Sequence, residues 1–194
     1  MQMKIAGITG GIGSGKSTVS ALMEMMGVPV YNADTESKKL TDTSPEIRKK
    51  LTERFGAALF SDGKLNKALL ASLIFNHAEN LQYVNSVIHP VVRTDFSNWM
   101  ERHRRHKLVS IETAILFESG FDSTVDIKVN VSAPLDIRIQ RIKARDKQPI
   151  ETILSRIKSQ ISDEEKNKLV DYIIYNDGKA ALIPQVEQFI SLNL

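Results

Sequence analysis

The 194-residue chain contains no cysteine, which excludes disulfides and thiolate-bound zinc. It also lacks any apolar run near the roughly 20 residues needed to span a bilayer, so no membrane partner is expected. Internal repeats and low-complexity tracts are missing. Charge of one sign is in small excess, with 26 Lys and Arg against 23 Asp and Glu, a formal +3. The one dense basic run, Arg102–Lys107, reads as the solvated C-terminal end of a helix, where the helix dipole favours cations. Nucleic-acid binding would need a wider basic surface with interleaved aromatics, so no nucleic-acid partner is expected. An anionic small substrate accounts for the modest excess equally well. The N-terminus enters a strand without the apolar stretch and cleavage site of a signal peptide, and the expected location is cytoplasmic. No feature of the sequence specifies an oligomeric state.

What is present begins with Ile5–Ile8, a short apolar run, followed by Gly10-Gly11-Ile12-Gly13-Ser14-Gly15-Lys16-Ser17-Thr18. This satisfies G-x-x-x-x-G-K-[ST], the phosphate-binding loop of nucleoside-triphosphate proteins. Gly11, Gly13 and Gly15 leave room for backbone N–H groups to turn around phosphate oxygens. Ser14, Ser17 and Thr18 complete the cradle. Lys16 adds a charge near the β- and γ-phosphates, and the Ser17 hydroxyl is placed to ligate Mg²⁺. A nucleoside triphosphate with Mg²⁺ is the expected ligand of this loop.

Strand and helix signals alternate through the chain, which predicts an α/β fold with a parallel sheet covered by helices. Strands are expected at Lys4–Thr9, Val28–Tyr31, Lys107–Ile111, Asp126–Val131 and Tyr172–Tyr175. Between the second and third lies a helical block of about seventy residues, punctuated by Pro45, Gly56 and Asp62-Gly63. Pro90 is expected to end or kink the helix near His89. Helix signals resume from Leu135 to about Lys168, broken near Lys147-Gln148-Pro149, and Ala180–Leu192 closes the chain. Met23, Met25 and Met26 are expected to pack in the core.

Ligands of open parallel sheets bind beyond the carboxyl ends of the strands. Asp34 falls at that edge after the second strand, as a general base for an attacking hydroxyl or as a cap on a helix beginning at Thr35. Arg138, Arg141 and Arg145 recur at i, i+3 and i+7 and share a helix face, with Arg156 on the next helix. They read either as a charge-neutralising lid or as a solvated face paired with Asp136 or Asp146. Glu112, at the end of the third strand, is a candidate for holding Mg²⁺ through water, with Glu118 a second candidate. Either is otherwise a surface or capping acid. His89, in an apolar helix, reads as a satisfied structural histidine or as a ligand. The guanine motif Asn-Lys-x-Asp is absent, since neither Asn66-Lys67 nor Asn167-Lys168 has an aspartate two residues on.

With these motifs in this order, the sequence resembles the dephospho-CoA kinase family, whose members phosphorylate the ribose 3′-hydroxyl of dephospho-CoA using ATP. The resemblance runs from Gly7–Thr18 through Asn32-Ala33-Asp34, Phe55-Gly56, Asp62–Lys67 and Ile88-His89-Pro90. It continues with Ile115–Glu118, Gln140-Arg141, Arg145-Asp146, Arg156-Ile157, Gln160, Lys166, Asp171 and Asn176-Asp177-Gly178. It implies a single three-layer P-loop kinase domain over 1–194, with a five-stranded parallel sheet flanked by helices. A helical substrate lobe near 36–106 and a helical lid near 138–160 are implied as well. Asp34 becomes the catalytic base, with Lys16 and Arg141 as its catalytic partners. Arg145 joins the lid at the triphosphate, Asn176 neighbours adenine, and Lys67 and His89 contact dephospho-CoA. The sequence departs from the family at Asn32, Lys67 and Ala114, where an acid, an arginine and a proline are usual. Phosphorylation of another small alcohol or nucleotide is the second reading, and a regulatory NTPase the third.

Overall fold

In the computed structural model, which describes residues 3–61, 63–75, 77–146 and 149–194, the apolar run after Met3 becomes β1, Lys4–Thr9. Its last four residues are buried on both faces, as parallel strands under two helical layers must be. Gly15 ends the loop in a left-handed conformation (φ 95°), and α1 follows at Lys16–Met25. The chain then forms β2, Val30–Asn32.

Next come α2 (Ala33–Thr43), α3 (Pro45–Phe55), β3 (Phe60–Ser61), β4 (Lys64–Leu65), α4 (Lys67–Ile74) and α5 (Ala78–Arg102). The remaining elements are β5 (Leu108–Glu112), β6 (Ile127–Ser132), α6 (Leu135–Asp146), α7 (Ile150–Lys158), α8 (Asp163–Leu169), β7 (Tyr172–Tyr175) and α9 (Leu182–Asn193). The five longer strands pair in parallel in the order β2-β5-β1-β6-β7. Ile8 lies opposite both Glu112 and Val129, and Asn32 lies opposite Glu112. The carboxyl ends of all five strands therefore share one edge of the sheet.

By contacts the chain divides into two units, Met1–Asn32 with His103–Leu194, and Ala33–Arg102. The first contains the parallel sheet. Its core joins Ala6, Ile8, Val129, Val131 and Ile174 to Val19 and Met23 of α1 and to Val186 and Phe189 of α9. The second has a core of its own, built on Ile47, Leu51, Leu59, Leu70, Val84 and Val87. Its helices carry their own start signals. Ser44 accepts from the Ile47 N–H ahead of Pro45, and Asn66 accepts from the Leu69 N–H.

Four sequence expectations change. α5 continues through Pro90, so of the two expectations there, an end or a kink, the end does not occur. A proline inside a helix costs about 3 kcal/mol, whereas burying Val84, Val87, Val92 and Phe96 contributes about 1.5–3 kcal/mol each, so packing on both sides of Pro90 prevails. A two-stranded antiparallel hairpin, β3–β4, lies inside the helical block. Asp62, of the expected Asp62-Gly63 turn, and Lys147-Gln148, of the expected helix break, lie outside the described residues. The stretch after Pro149 breaks again at 159–162, where Ser162 and Glu165 form a reciprocal capping box that starts α8. Met25 is 83% exposed, while Met23 is fully buried and Met26 packs beside it.

Candidate active site

The phosphate loop joins β1 to α1 at the carboxyl edge of the sheet. Ser14 N–H donates to the Gly11 carbonyl at 3.0 Å, and the N–H groups of Thr18 and Val19 return to the Gly15 carbonyl at 3.0 and 3.2 Å. Lys16 is buried, and its Nζ donates to the Gly10 carbonyl at 2.9 Å, folding the side chain back over the loop. Ser14 Oγ is buried with no hydrogen-bond partner, a polar group inside the loop that a phosphate oxygen could satisfy. Ser17 and Thr18 are exposed at the first turn of α1, where N–H groups and the helix dipole favour an anion.

Two elements distant in sequence hold this loop. From α6, Arg141 directs Nη1 to the carbonyls of Ser14 and Gly13 at 3.3 and 3.5 Å. Its Nη2 reaches the Asn176 carbonyl and Oδ1 at 3.2 and 3.1 Å. Asn176, just beyond β7, donates Nδ2 to the Ser14 carbonyl at 2.8 Å. A Cβ at position 15 would meet that amide, so Gly15 is required both for its backbone angle and for space. Lys16, Ser14, Gly15, Arg141 and Asn176 are thereby brought together.

The other arginines of the α6 face separate from Arg141. Arg138 is 5% exposed, donates Nε to the Ile12 carbonyl at 2.9 Å and pairs through Nη1 with Asp163 at 2.9 Å. Arg145 is open to solvent and pairs with Asp146 at 2.6 Å, and Arg156 reaches the same carboxylate at 3.3 Å. The Arg145 guanidinium holds the Asp146 carboxyl below its ordinary range. Of the three aligned arginines, one grips the loop carbonyls, one is a buried strut and one lies at the surface.

Glu112 ends β5 with its side chain buried, and the amide of its strand neighbour Asn32 donates to Oε2 at 3.0 Å. Glu118, the second candidate, accepts the Ile161 N–H at 3.1 Å in the turn between α7 and α8. Sequence reasoning missed Lys166 as a buried group. Its side chain is fully buried, Nζ donates to the Ala114 carbonyl at 3.0 Å, and burial pushes its pKa down while Glu118 and Asp163 work in the opposite direction. The signal was its helical spacing from Asp163, which places both on one face of α8.

Asp34, Lys67 and His89 all belong to the Ala33–Arg102 unit. Asp34 is exposed and is the second residue of α2, within its first turn. Lys67 is exposed at the start of α4. His89 is partly buried in α5, and burial followed by the Arg93 charge holds its imidazole below the ordinary value.

The dephospho-CoA kinase (CoaE) family description matches residues 4–181. The chain belongs to the dephospho-CoA kinase family. A dephospho-CoA kinase of Bacteroides fragilis is 49% identical over 191 residues, covering 98% of this chain and 93% of that one. Among solved structures, a Thermus thermophilus protein is similar, with a TM-score of 0.88, 32% identity and coverage of 100% and 99%. A Campylobacter jejuni dephospho-CoA kinase gives 0.70 and 26%, covering 96% of this chain and 95% of that one. The match spans the loop, Asp34, the α6 arginines and Asn176. The Arg141–Asn176 grip on the phosphate loop therefore lies within the extent of the dephospho-CoA kinase match.

No described helix is long and apolar enough to cross a membrane. Among the described residues, no group of three or more His, Cys, Asp or Glu side chains could hold a metal ion.

Proposed function

We infer that this protein transfers the γ-phosphoryl group of ATP to the ribose 3′-hydroxyl of dephospho-CoA, the step that completes coenzyme A. The observation that carries this reading is a phosphate loop gripped by Arg141 and Asn176 in a chain whose family match runs almost from end to end. In the reaction the 3′-oxygen forms a bond to the γ-phosphorus, the bond to the bridging oxygen breaks, and ADP leaves. We assign Asp34 as the base that takes the hydroxyl proton, and assign Gly11, Gly13, Ser14, Gly15, Ser17 and Thr18 to the triphosphate. Lys16 leaves the Gly10 carbonyl for a phosphate oxygen, exchanging a neutral acceptor for a charged one.

Arg141 already lies against the loop and is assigned to the charge that develops on the transferred group. Arg145 is assigned to the triphosphate when the helices near 138–160 close as a lid. Arg145 stands open to solvent in its present ion pair, where water screens the charges, so exchanging Asp146 for a phosphate costs little. Asn176 is assigned to the adenine side. The Ala33–Arg102 unit is assigned as the acceptor lobe, with Lys67 and His89 contacting dephospho-CoA. Lys67 supplies a point charge where an arginine would supply a fork.

The Ser17 hydroxyl and the Glu112 carboxylate are hard oxygen donors that suit Mg²⁺, held directly by the first and through water by the second. A cation held by these residues would supply neutralisation of triphosphate charge. Cysteine-free composition and dependence on ATP fit a cytoplasmic enzyme.

A coupled assay comparing dephospho-CoA with nucleosides and nucleotides as acceptors tests the assignment. ADP release should depend on dephospho-CoA. Turnover of another acceptor in its place, with none on dephospho-CoA, would overturn it in favour of a different small-molecule kinase.

A further inference from the structure

Ile12 is the crest of the phosphate loop, and both of its backbone polar groups are taken by residues outside the loop. Its N–H donates to Gln160 Oε1 at 3.0 Å. Its carbonyl accepts Arg138 Nε at 2.9 Å. The far side of the same guanidinium is fixed by Asp163 at 2.9 Å, in an ion pair whose side chains are only 6% and 16% exposed. Asp163 is in turn the first residue of α8, behind the capping box at Ser162.

Three features make this more than packing. The Ile12 N–H is committed to Gln160 and is not available to a phosphate oxygen. The Ile12–Gly13 peptide is planar and trans, so anchoring its carbonyl on Arg138 turns the Gly13 N–H to the opposite side, away from the arginine. Position 11 must also be glycine, because a Cβ there would coincide with the Arg138 guanidinium.

We propose that Arg138, anchored by Asp163, and Gln160 are positioning residues that fix the Ile12 peptide units and so set the enzyme's affinity for ATP, not for its acceptor. Arg138 thus acts through the loop and touches no phosphate. The proposal rests on the kinase reading only for its acceptor arm. Gln160 removes one N–H from the cradle, and Arg138 aims the next.

The test uses the full chain. Gln160→Met keeps the shape and removes the acceptor from the Ile12 N–H. Loss of one such bond to a partly buried backbone donor predicts a rise of about tenfold in Kd for ATP, measured by calorimetry without acceptor. KM for ATP should rise in parallel, with KM for dephospho-CoA within about twofold of wild type. Asp163→Ala should reproduce the split, and Asp163→Asn, which still offers an oxygen to Arg138, should restore most of the ATP affinity. A purely structural role would lower the melting temperature and move both KM values together, or leave both unchanged. Either pattern in Gln160→Met, or an unaltered Kd for ATP, overturns the proposal. Because the Kd arm needs no acceptor, it stands even if dephospho-CoA proves not to be the substrate, which would instead appear as wild-type inactivity on it.

Discussion

Arg138, Arg141 and Arg145 share one face of α6 yet end in a buried ion pair, on the loop carbonyls and at the surface, respectively. Their spacing made the common face legible, but their separate fates depend on Asp163, Asn176 and Asp146, which the fold brings to them. Asp34 was equally open in sequence, because a carboxylate before a helix serves as a cap or as a base. Its position in the first turn of α2 places an anion where the helix dipole favours one, and the kinase reading makes it the base. Asp34→Asn is therefore expected to lower kcat by at least about 10²-fold while leaving ATP affinity near wild type, since only the proton acceptor is lost. Steady-state kinetics with an ATP binding measurement decides this, and near-normal turnover would return Asp34 to a structural role. His89 carries a pH dependence of known sign. Burial, then Arg93, holds it below its ordinary value of 6.5, so as pH falls the unfolded chain binds the proton first. Stability contributed by this neutral imidazole is present above 6.5, is lost as pH falls through that value, and stops changing below the folded-state pKa. Urea midpoints should therefore drop between about pH 7.5 and 5.5, and drop less in His89→Gln. Parallel slopes in the two proteins would contradict the assignment.

At the scale of elements, the parallel strands were legible because burial on both faces demands continuous apolar runs. The expected Lys4–Thr9 and Tyr172–Tyr175 coincide with β1 and β7, and the other three shift by a residue or two. The hairpin β3–β4 escaped because two residues per strand carry no periodicity. The start of α8 was readable in Ser162 and Glu165 as a capping box, obscured by helix formers on both sides. Pro90 is instructive. Local chemistry argued for an end or a kink, and the end does not occur, because four buried side chains of α5 hold the helix together across it. The missing N–H should then be a standing cost in the folded state. Pro90→Ala restores a donor to the Ser86 carbonyl and relieves the ring clash there. It is predicted to raise stability by about 1–3 kcal/mol, after an offset of about 0.4–1 kcal/mol from the freer unfolded chain. Urea unfolding followed by fluorescence of Trp99 in the same helix measures it. A lowered midpoint would show that the pyrrolidine ring contributes packing that exceeds the lost hydrogen bond.

For the whole molecule, the two units each have a core, and the proposed division of labour assigns ATP to one and the acceptor to the other. The chain supplies its own reporter. Its only tryptophan, Trp99, stacks on Phe96 at 6.0 Å between ring centroids, and both lie in α5 of the Ala33–Arg102 unit. Dephospho-CoA is therefore expected to change Trp99 emission in the absence of ATP. ATP alone should act chiefly on stability, adding about 2.7 kcal/mol at a hundredfold excess over its Kd. Lys16→Ala separates the two responses. It removes the charge that faces the triphosphate, so the ATP-dependent stabilisation and the turnover should both fall, while the fluorescence titration with dephospho-CoA keeps its wild-type midpoint. If emission answers ATP alone and is indifferent to dephospho-CoA, the helical unit is not the acceptor lobe. If Lys16→Ala retains the ATP-dependent stabilisation, the loop is not the principal triphosphate site. The two outcomes are independent, because each ligand is titrated in the absence of the other.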